Sequence, residues 1–323
     1  MRTALSLTAL LPLVAAPEAP TFAVESGTEV TKSFGQILHL ELDAVVVQVN
    51  GEEQEQDEIP EVVIDDETEI VFSDKYVKVE DGTAQEIVRT FETLRDVSMQ
   101  SGPGPDGETM EDETEGESEL EGTSVRFRWN AEDEEYTVSW ADDEDADPSE
   151  LFEDFDVDAD YLYLLPEDAE EVEVGDSWDL EASVFDRMSS PGGDLAIVSG
   201  DEDEDDDFSE QFRDNLDGSL EATLASIEDG VATIKLEGEL TTTIEQDSKP
   251  DEAPPELELT QTFDFVFEIE GELVWDMEAG RAKSLELEGA VNLDMTQDQA
   301  MNEFELSIVQ SFSGTLSVGS TFE

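Results

Sequence analysis

The sequence predicts a mainly β protein, a curved antiparallel β-meander of half-barrel or β-sandwich-like form with one short helix and acidic loops. Three observations lead to this fold class. Apolar and polar residues alternate over long stretches, turn residues separate the alternating stretches, and glycines recur at inward positions of successive strands.

The clearest alternation runs from Leu257 to Met277, where the odd positions are mostly apolar and the even positions mostly polar or acidic. Such alternation predicts a strand with one buried and one solvated face. Two further alternating segments, 285–295 and 304–318, complete an antiparallel meander in the C-terminal third. The inward residues of the first segment are Leu257, Leu259, Phe263, Phe265, Phe267, Ile269, Leu273, Trp275 and Met277.

Parity predicts the turns of this meander. Leu224 and Ile234 must share the buried face, which requires a loop of odd length, so the sequence predicts a three-residue turn at 228–230. The same argument predicts a three-residue turn at 278–280. Gly230 and Gly280 would supply the left-handed conformation that such turns need.

Four glycines occupy inward positions in four successive predicted strands. Inward glycines let a long strand bend sharply, and they also relieve crowding between strands; both interpretations stay open. These residues are Gly238, Gly271, Gly289 and Gly314.

The N-terminal half is β-rich but less regular, and its helix signal is weak. A single short helix is predicted to open at 148–150 and to carry Leu151, Phe152 and Phe155. Segments 101–121, 201–207 and 249–255 are acidic or rich in proline and glycine, and are predicted to be mobile loops. The predicted strands are Ile37–Val49, Glu69–Phe72, Tyr76–Val79, Ile87–Leu94, and the hairpin of Ser124–Trp129 with Tyr136–Trp140.

The N-terminus has the form of a secretory signal peptide. Met1 and Arg2 precede an apolar run from Thr3 to Ala16 that is too short to span a bilayer. Cleavage could follow Ala16, although proline comes next, or Ala23; a buried N-terminal helix is the alternative. We divide the chain into a signal peptide (1–23), an N-terminal β-rich region (24–165) and the C-terminal meander (166–323), with one continuous domain as the alternative to the last two.

Charge restricts the possible partners. The chain has 89 acidic and 14 basic residues, a formal net charge of -75. Nucleic acid and anionic membrane surfaces are disfavoured because both require clustered Lys and Arg. Cations, basic proteins and high-salt surroundings remain as natural partners.

The chain contains no cysteine. Disulfides, thiolate metal sites and cysteine nucleophiles are therefore excluded, and so is the lipid anchor of bacterial lipoproteins. The sequence predicts an exported protein, periplasmic or extracellular, that is not lipid-anchored and has no transmembrane segment.

No residue is assigned a catalytic, cofactor-binding or metal-binding role. His39 is the only histidine and is predicted to point outward with Glu41, which disfavours a Ser-His-Asp triad. Pro191–Asp194 has no nearby lysine to form a phosphate loop. Paired carboxylates are so frequent in this chain that they neither support nor exclude a hydrolase.

Two weaker site hypotheses remain. Alternating aspartates at 154–160 and 201–207, and a run from Asp294, suggest calcium, but none completes a calcium-binding loop and solvated faces are favoured. The aromatic side chains of Phe263, Phe265, Phe267 and Trp275 could line a groove for a lipid or peptide, although core packing is favoured.

Four short motifs stand out, at Arg89–Phe91, Leu164–Pro166, Val174–Trp178 and Pro191–Leu195. Together with the C-terminal meander they resemble an uncharacterised family of exported, β-rich proteins typical of planctomycete-like bacteria. The resemblance spans most of the chain and implies an envelope or secreted protein, with no activity, cofactor or catalytic residue to carry over. Bent sheets in exported proteins also resemble periplasmic lipoprotein carriers.

We therefore expect a non-enzymatic exported binding or structural protein. The alternatives are a periplasmic carrier of an apolar, lipid-like ligand inside a curved sheet, and a calcium-dependent surface protein. A cavity lined by the inward residues from Phe263 to Trp275 would favour the carrier over a filled interior.

The net charge predicts a strong salt dependence of stability. Repulsion among carboxylates is released on unfolding, so the melting temperature should rise when sodium chloride is raised from about 0.1 M to about 1 M and the Debye length falls from about 10 Å to about 3 Å. Calcium at equal ionic strength should add only a modest increase. A melting temperature independent of salt would contradict the prediction, and a calcium effect saturating at micromolar concentration would favour specific calcium sites.

Overall fold

The computed structural model describes residues 19–55, 58–80, 82–104, 109–133, 135–142, 155–166, 172–193, 195–199, 206–247, 254, 257–301 and 304–323. Its main feature is one antiparallel sheet. The strands are β1 (Glu29–Val49), β2 (Glu52–Gln54), β3 (Val63–Glu80), β4 (Thr83–Pro103), β5 (Thr109–Glu117), β6 (Ser124–Asn130), β7 (Glu135–Trp140), β8 (Ser177–Leu180), β9 (Val198–Ser199), β10 (Asp217–Glu228), β11 (Val231–Asp247), β12 (Leu257–Asp276), β13 (Arg281–Met301) and β14 (Phe304–Phe322).

The strand order is β7-β6-β4-β3-β1-β14-β13-β12-β11-β10-β8, with β2, β5 and β9 attached at its sides. This open, curved antiparallel sheet confirms the mainly β fold class. The pairing of β1 with β14 joins the N-terminal strands to the C-terminal strands, and it runs from Lys32 opposite Phe322 to Val49 opposite Leu306. The two regions proposed from the sequence thus share one sheet, while the boundary at residue 165 stays a prediction.

The C-terminal meander has the register that the alternation predicts. β10 to β14 pair in sequence order, and the inward residues Phe267, Leu273 and Trp275 are buried whereas Glu268, Glu270 and Glu272 are exposed. The apolar face of each long strand therefore builds the core, and the acidic face meets water.

The predicted turn at 228–230 is one residue too long. Glu228 pairs with Val231, so the loop contains only Asp229 and Gly230, with φ of 51° and 79°. Two positive φ values are typical of a tight hairpin turn. Parity is restored inside β10, where the register shifts between Leu224 and Ser226 and leaves one extra residue in the strand.

The turn at 278–280 is one residue longer than predicted. Asp276 pairs with Arg281, so four residues, 277–280, form the loop, and the register shifts again between Val274 and Trp275. The Asp276 carboxylate accepts the backbone N–H groups of Glu278 and Ala279 at 3.0 and 2.9 Å. Gly280 has the positive φ predicted for it, 62°.

Three of the four inward glycines, Gly271, Gly289 and Gly314, form a diagonal across β12 to β14, because the cross-strand partner of each lies two residues from the next glycine. The fourth, Gly238, lies in the same row as Gly289. A Cβ on Gly314 would overlap the carbonyl oxygen of His39 and lie 2.9 Å from the Cα of Leu40. The contacts at this position demonstrate relief of crowding, since the neighbouring main chain occupies the space of a side chain.

Several N-terminal predictions are wrong in extent. Residues 69–72 and 76–79 belong to one strand, β3, and 87–94 is the middle of β4. The segment 101–121 is not simply a loop, because β4 continues to Pro103 and β5 pairs with it from Arg95 opposite Glu117 to Pro103 opposite Thr109. The hairpin of β6 and β7 is confirmed.

The described helices are not where the sequence placed one. The α-helices are α1 (Val184–Ser189) and α2 (Asp206–Asp214), the second of which begins inside the predicted loop 201–207, and a 3-10 helix spans Leu162–Leu164. Of the predicted helix, 148–154 lie outside the described residues, and Phe155 forms an isolated bridge with Gly193. Residues 249–253 and 255 of the third predicted loop also lie outside the described residues.

The inward face of the sheet is covered by the segment 155–166 and by α1 and α2. Tyr161 packs edge-on against Phe34 and Phe322, Phe155 lies 5.5 Å from Phe127, and Phe185 of α1 lies 5.1 Å from Phe267. These contacts extend from β6 to β12, so a single apolar core joins both halves of the sheet.

Two glycines of β14 provide a matched test of the crowded diagonal. Replacing Gly314 by alanine should reduce the free energy of unfolding by about 2–4 kcal/mol, because β1 and β14 must separate to admit the methyl group. Replacing Gly319, where an added Cβ meets nothing within 4 Å, should change it by less than about 0.5 kcal/mol. Urea unfolding measures both values, and equal effects would contradict the close approach at Gly314.

Candidate functional site

The most distinctive group of side chains is a buried charge cluster, which we define as Lys32, Asp74, Tyr76, Arg89 and Asp160. All five are at most 3% exposed. Lys32 comes from β1, Asp74 and Tyr76 from β3, Arg89 from β4, and Asp160 from the segment 155–166.

The period of two brings the strand residues together. Asp74 and Arg89 are direct cross-strand partners in β3 and β4, and Lys32 lies two residues from Val30, the β1 partner of Asp74. Each charged residue thus occupies an inward position between buried apolar neighbours, as Lys32 does between Val30 and Phe34. That pattern is the sequence signal that could have revealed the cluster, and sequence reasoning missed it.

Asp74 is held by both cations. Arg89 Nε donates to Asp74 Oδ1 at 2.8 Å and Nη2 donates to Oδ2 at 2.9 Å, a bidentate pair. Lys32 Nζ donates to Asp74 Oδ2 at 2.8 Å and also lies 2.9 Å from Asp160 Oδ1. The Tyr76 hydroxyl donates to the other oxygen of Asp160 and accepts from Lys32 Nζ at 3.0 Å.

Arg89 also binds the backbone of the segment 155–166, which we call the covering segment. Its Nη1 and Nη2 donate to the carbonyl oxygens of Asp156 and Val157 at 3.2 and 3.1 Å, and its guanidinium stacks 4.0 Å from the Phe72 ring. Two buried cations thus face two buried carboxylates, and the donors of Arg89 that do not meet Asp74 bind the segment 155–166.

A second ion pair extends the cluster toward the surface. Arg187 of α1 donates to Asp156 at 2.7 Å, lies 3.9 Å from Asp158, and stacks 3.9 Å from the Tyr163 ring. Asp158 in turn accepts the backbone N–H of Asp160 at 3.0 Å. The covering segment is therefore held by Arg89 of β4 and also by Arg187 of α1.

Burial and neighbouring charges together shift the pKa values of these groups. Burial alone would raise the pKa of Asp74, but the Arg89 and Lys32 charges prevail and lower it. Burial raises the pKa of Tyr76 well above its ordinary value, and the Asp160 and Asp74 carboxylates raise it further. Burial, with Asp160 and Asp156 nearby, raises the pKa of Asp158 to about 7.

Chemically, the cluster is closed. Its cations are paired with carboxylates inside the protein, and no cluster residue reaches the surface by more than a few per cent of its area. A reactant could reach these groups only if residues that cover them, among them the segment 155–166, moved away. The arrangement is suited to holding that segment on the sheet, since removing one partner would leave an uncompensated buried charge.

Of the candidates named from the sequence, only the aspartates at 156–160 lie at the charge cluster. His39 points outward, as expected, with Nδ1 2.6 Å from Asp65 and Nε2 3.4 Å from Glu41; the hydrogen bond with Asp65 raises its pKa. Asp156, Asp158 and Asp160 line the charge cluster, whereas Asp154 and 201–205 lie outside the described residues. Across the part of the chain that the structure describes, no group of three or more His, Asp or Glu side chains is arranged to hold a metal ion.

The aromatic residues of β12 are largely covered by helices. Phe208 and Phe212 of α2 pack edge-on against Phe263 and Phe265 at 5.4 and 6.0 Å, and Trp275 is fully buried. Two concavities in the described structure have volumes of about 10 and 290 Å³, and neither is lined by residues from Phe263 to Trp275. The larger lies at the far end of the sheet, beside Glu258, Asp298 and Glu305.

Some of the short motifs noted in the sequence meet in the fold. Gly192 has a φ of 99°, which favours glycine, and its carbonyl oxygen accepts the backbone N–H of Asp156 at 3.0 Å. Trp178 Nε1 donates to the carbonyl oxygen of Leu164 at 3.2 Å. These motifs therefore help to position the covering segment.

The cluster predicts a large cost for losing one cation. Lys32→Met should reduce the free energy of unfolding by about 3–5 kcal/mol, because Asp160 and Asp74 would remain buried without their shared partner. Lys78→Met is the control: its pair with Glu80 is exposed, 52% and 60%, and its loss should cost less than about 0.5 kcal/mol. Similar chemical denaturation curves for the two variants would contradict the role of the cluster.

Asp158 predicts a pH effect of defined sign. Because its folded pKa of about 7 exceeds the unfolded value of about 4, the folded state binds more protons between these values and loses stability as pH rises through them. Asp158→Asn keeps an oxygen acceptor but removes this titration, so the variant should gain on the order of 1–2 kcal/mol over the parent between pH 4 and pH 8. Parallel pH profiles of unfolding free energy in parent and variant would contradict the assignment.

Within the described residues, no helix is both long and apolar enough to cross a membrane.

Comparisons with known proteins add no family. No family model matches the chain, and no curated protein is significantly similar to it. Among solved structures, that of Pseudomonas aeruginosa OpdK with vanillate is 8% identical with a TM-score of 0.10, covering 91% of this chain and 98% of that one. A structure of the P. aeruginosa outer membrane protein OpdK is also 8% identical, with a TM-score of 0.11 and coverage of 92% and 99%. Scores this low carry no argument about function.

Proposed function

We propose that this chain is an exported, non-enzymatic binding or structural protein of the cell envelope or secretome. The observation that carries the proposal is the closed charge cluster. Catalytic groups have perturbed pKa values and lie in a cleft that a substrate can enter. Here Asp74, Tyr76 and Arg89 have shifted pKa values but are buried and bound to one another or to Asp160, which supports a structural use.

The acidic outer face suggests the chemistry of a partner. Glu221, Glu237, Glu270 and Glu288 lie directly opposite one another on four neighbouring strands, β10 to β13. Like charges in direct cross-strand register destabilise a sheet, so their presence favours surroundings rich in cations or a basic partner protein. Export rests on the N-terminal apolar run and on the resemblance to exported proteins.

A second candidate is a carrier of an apolar, lipid-like ligand, favoured by the inward face at the far end of the sheet. We call this the end face: it continues the core side of β1, β12, β13 and β14 beyond Phe263, and its side chains are uncharged. Met301 and Phe304 on it are 39% and 41% exposed and are cross-strand partners, so they place two large apolar side chains side by side in contact with water. The end face comprises Val47, Val49, Leu257, Leu259, Gln261, Gln297, Gln299, Met301, Phe304, Leu306 and Ile308.

Native mass spectrometry of protein purified from its source separates the two candidates. The first predicts the mass of the chain alone or of a complex with a basic protein. The carrier predicts an adduct of lipid size that is lost in Ile308→Glu, on the end face, and kept in Val309→Glu, the neighbouring residue on the opposite face. An adduct that survives both substitutions would contradict binding at the end face.

Enzymatic activity would overturn the first proposal. The calcium-dependent surface protein stays a third alternative, and the comparison of calcium with sodium at equal ionic strength tests it.

A further inference from the structure

Residues 19–24, just before β1, are built into the folded protein. Ala19 and Val24 are 2% and 4% exposed, and Pro20 is buried as well. The backbone N–H of Ala23 donates to the carbonyl oxygen of Gly280 at 3.0 Å, in the loop between β12 and β13. This segment, which we call the N-terminal anchor, therefore ties the residues that precede β1 to the C-terminal meander.

The loop between β12 and β13 packs closely against the anchor at Gly280. A Cβ on Gly280 would lie 2.5 Å from the Cβ and 2.6 Å from the Cα of Ala23, so the absence of a side chain at Gly280 is matched to the anchor. Gly230 has a similar positive φ in the neighbouring hairpin, but an added Cβ there meets nothing within 4 Å.

The anchor also covers the charge cluster. The Phe22 ring lies 5.9 Å from the ring of Tyr76, whose hydroxyl contacts both Lys32 and Asp160. An apolar ring at this point helps to keep water from a group of buried charges, whose mutual attraction is stronger in a water-excluded site. Removing the anchor would expose apolar surface and open one side of the cluster.

We propose that the signal peptide is cleaved on the N-terminal side of Ala19, so that the mature protein keeps the N-terminal anchor. This inference rests on the export clause of the proposed function. Small residues suitable for signal peptidase occur at Ala15 and Ala16 and also at Thr21 and Ala23. Cleavage after Ala23 would remove the Phe22 contact, the buried Ala19 and Pro20, and the hydrogen bond to Gly280.

Two matched lysine variants locate the cleavage site. The full chain is expressed in a bacterium that exports it, and the N-terminal peptide of the exported protein is identified by mass spectrometry. Thr21→Lys places a large charge at the third residue before a cut after Ala23, where signal peptidase requires a small residue. If cleavage occurs before Ala19, processing should be unchanged. Thr21 is exposed, so the substitution should not disturb the fold. The double variant Ala15→Lys and Ala16→Lys should accumulate the precursor.

An exported protein that begins at or before residue 19 supports the inference. A mature N-terminus at Val24, or a precursor that accumulates in Thr21→Lys while the double variant is processed normally, overturns it.

A melting experiment on the same exported protein tests the anchor directly. Phe22→Ala should lower the melting temperature by about 2 °C or more, whereas Thr21→Ala, exposed and adjacent, should leave it unchanged. If cleavage follows Ala23, neither residue is present and neither substitution can change the melting temperature of the mature protein.

The two proposals can fail separately. If the chain stays in the cell with Met1 in place, the export clause of the proposed function is wrong. The Phe22→Ala and Thr21→Ala comparison on that intracellular protein then decides the anchor: a lower melting temperature for Phe22→Ala alone supports it, and equal melting temperatures overturn it.

Discussion

The fold depends on the buried charge cluster, in which two cations balance two carboxylates inside a chain whose surface is overwhelmingly negative. Asp74 forms ion pairs with Arg89 and Lys32, and Lys32 forms a second ion pair with Asp160 from another part of the chain. Buried charges are stable only when paired, so the sheet and the covering segment must assemble together. A hydrophobic contact in the same place would tolerate sliding, whereas a bidentate pair fixes the register of β3 against β4 and the position of Asp160.

The position of the covering segment determines how the rest of the inward face is filled. With Asp160 fixed, Tyr161 adopts a left-handed conformation, φ 60°, that places its ring between Phe34 and Phe322 and its hydroxyl 3.0 Å from Ser320. Such a backbone conformation is costly for a tyrosine and persists only where surrounding contacts determine it. The joint between β1 and β14 is thereby covered by the same segment that the cluster holds.

The sequence predicted the features that follow from local periodicity. Leu257–Met277 alternates so regularly that both the strand and its buried face could be identified. The turn lengths were wrong because bulges at 225 and 283 shift parity inside β10 and β13, a long-range effect that no local pattern reveals. β5 was missed because apart from Gly116 its residues are exposed, leaving no alternation to detect.

The charge cluster was missed for a different reason, although its signal was present. In a chain with 89 acidic residues an aspartate such as Asp74 carries little information, but each of the 14 basic residues carries much more. Lys32 and Arg89 each occupy an inward position between apolar residues, Val30 and Phe34 for Lys32 and Ile87 and Phe91 for Arg89. Their partners could not be inferred, because Asp160 is separated from Lys32 by more than a hundred residues.

The two kinds of charge in this protein respond to solvent in different ways. Repulsion among surface carboxylates acts through water and fades with ionic strength, whereas pairs that are 0% exposed are screened little by salt. Salt can therefore reduce the repulsion among surface carboxylates, which destabilises the sheet, without weakening the buried ion pairs that fix its register. Cation concentration should therefore change the free energy of unfolding more than the arrangement of the strands, because the buried ion pairs that fix the register are separated from the surface charges that salt screens.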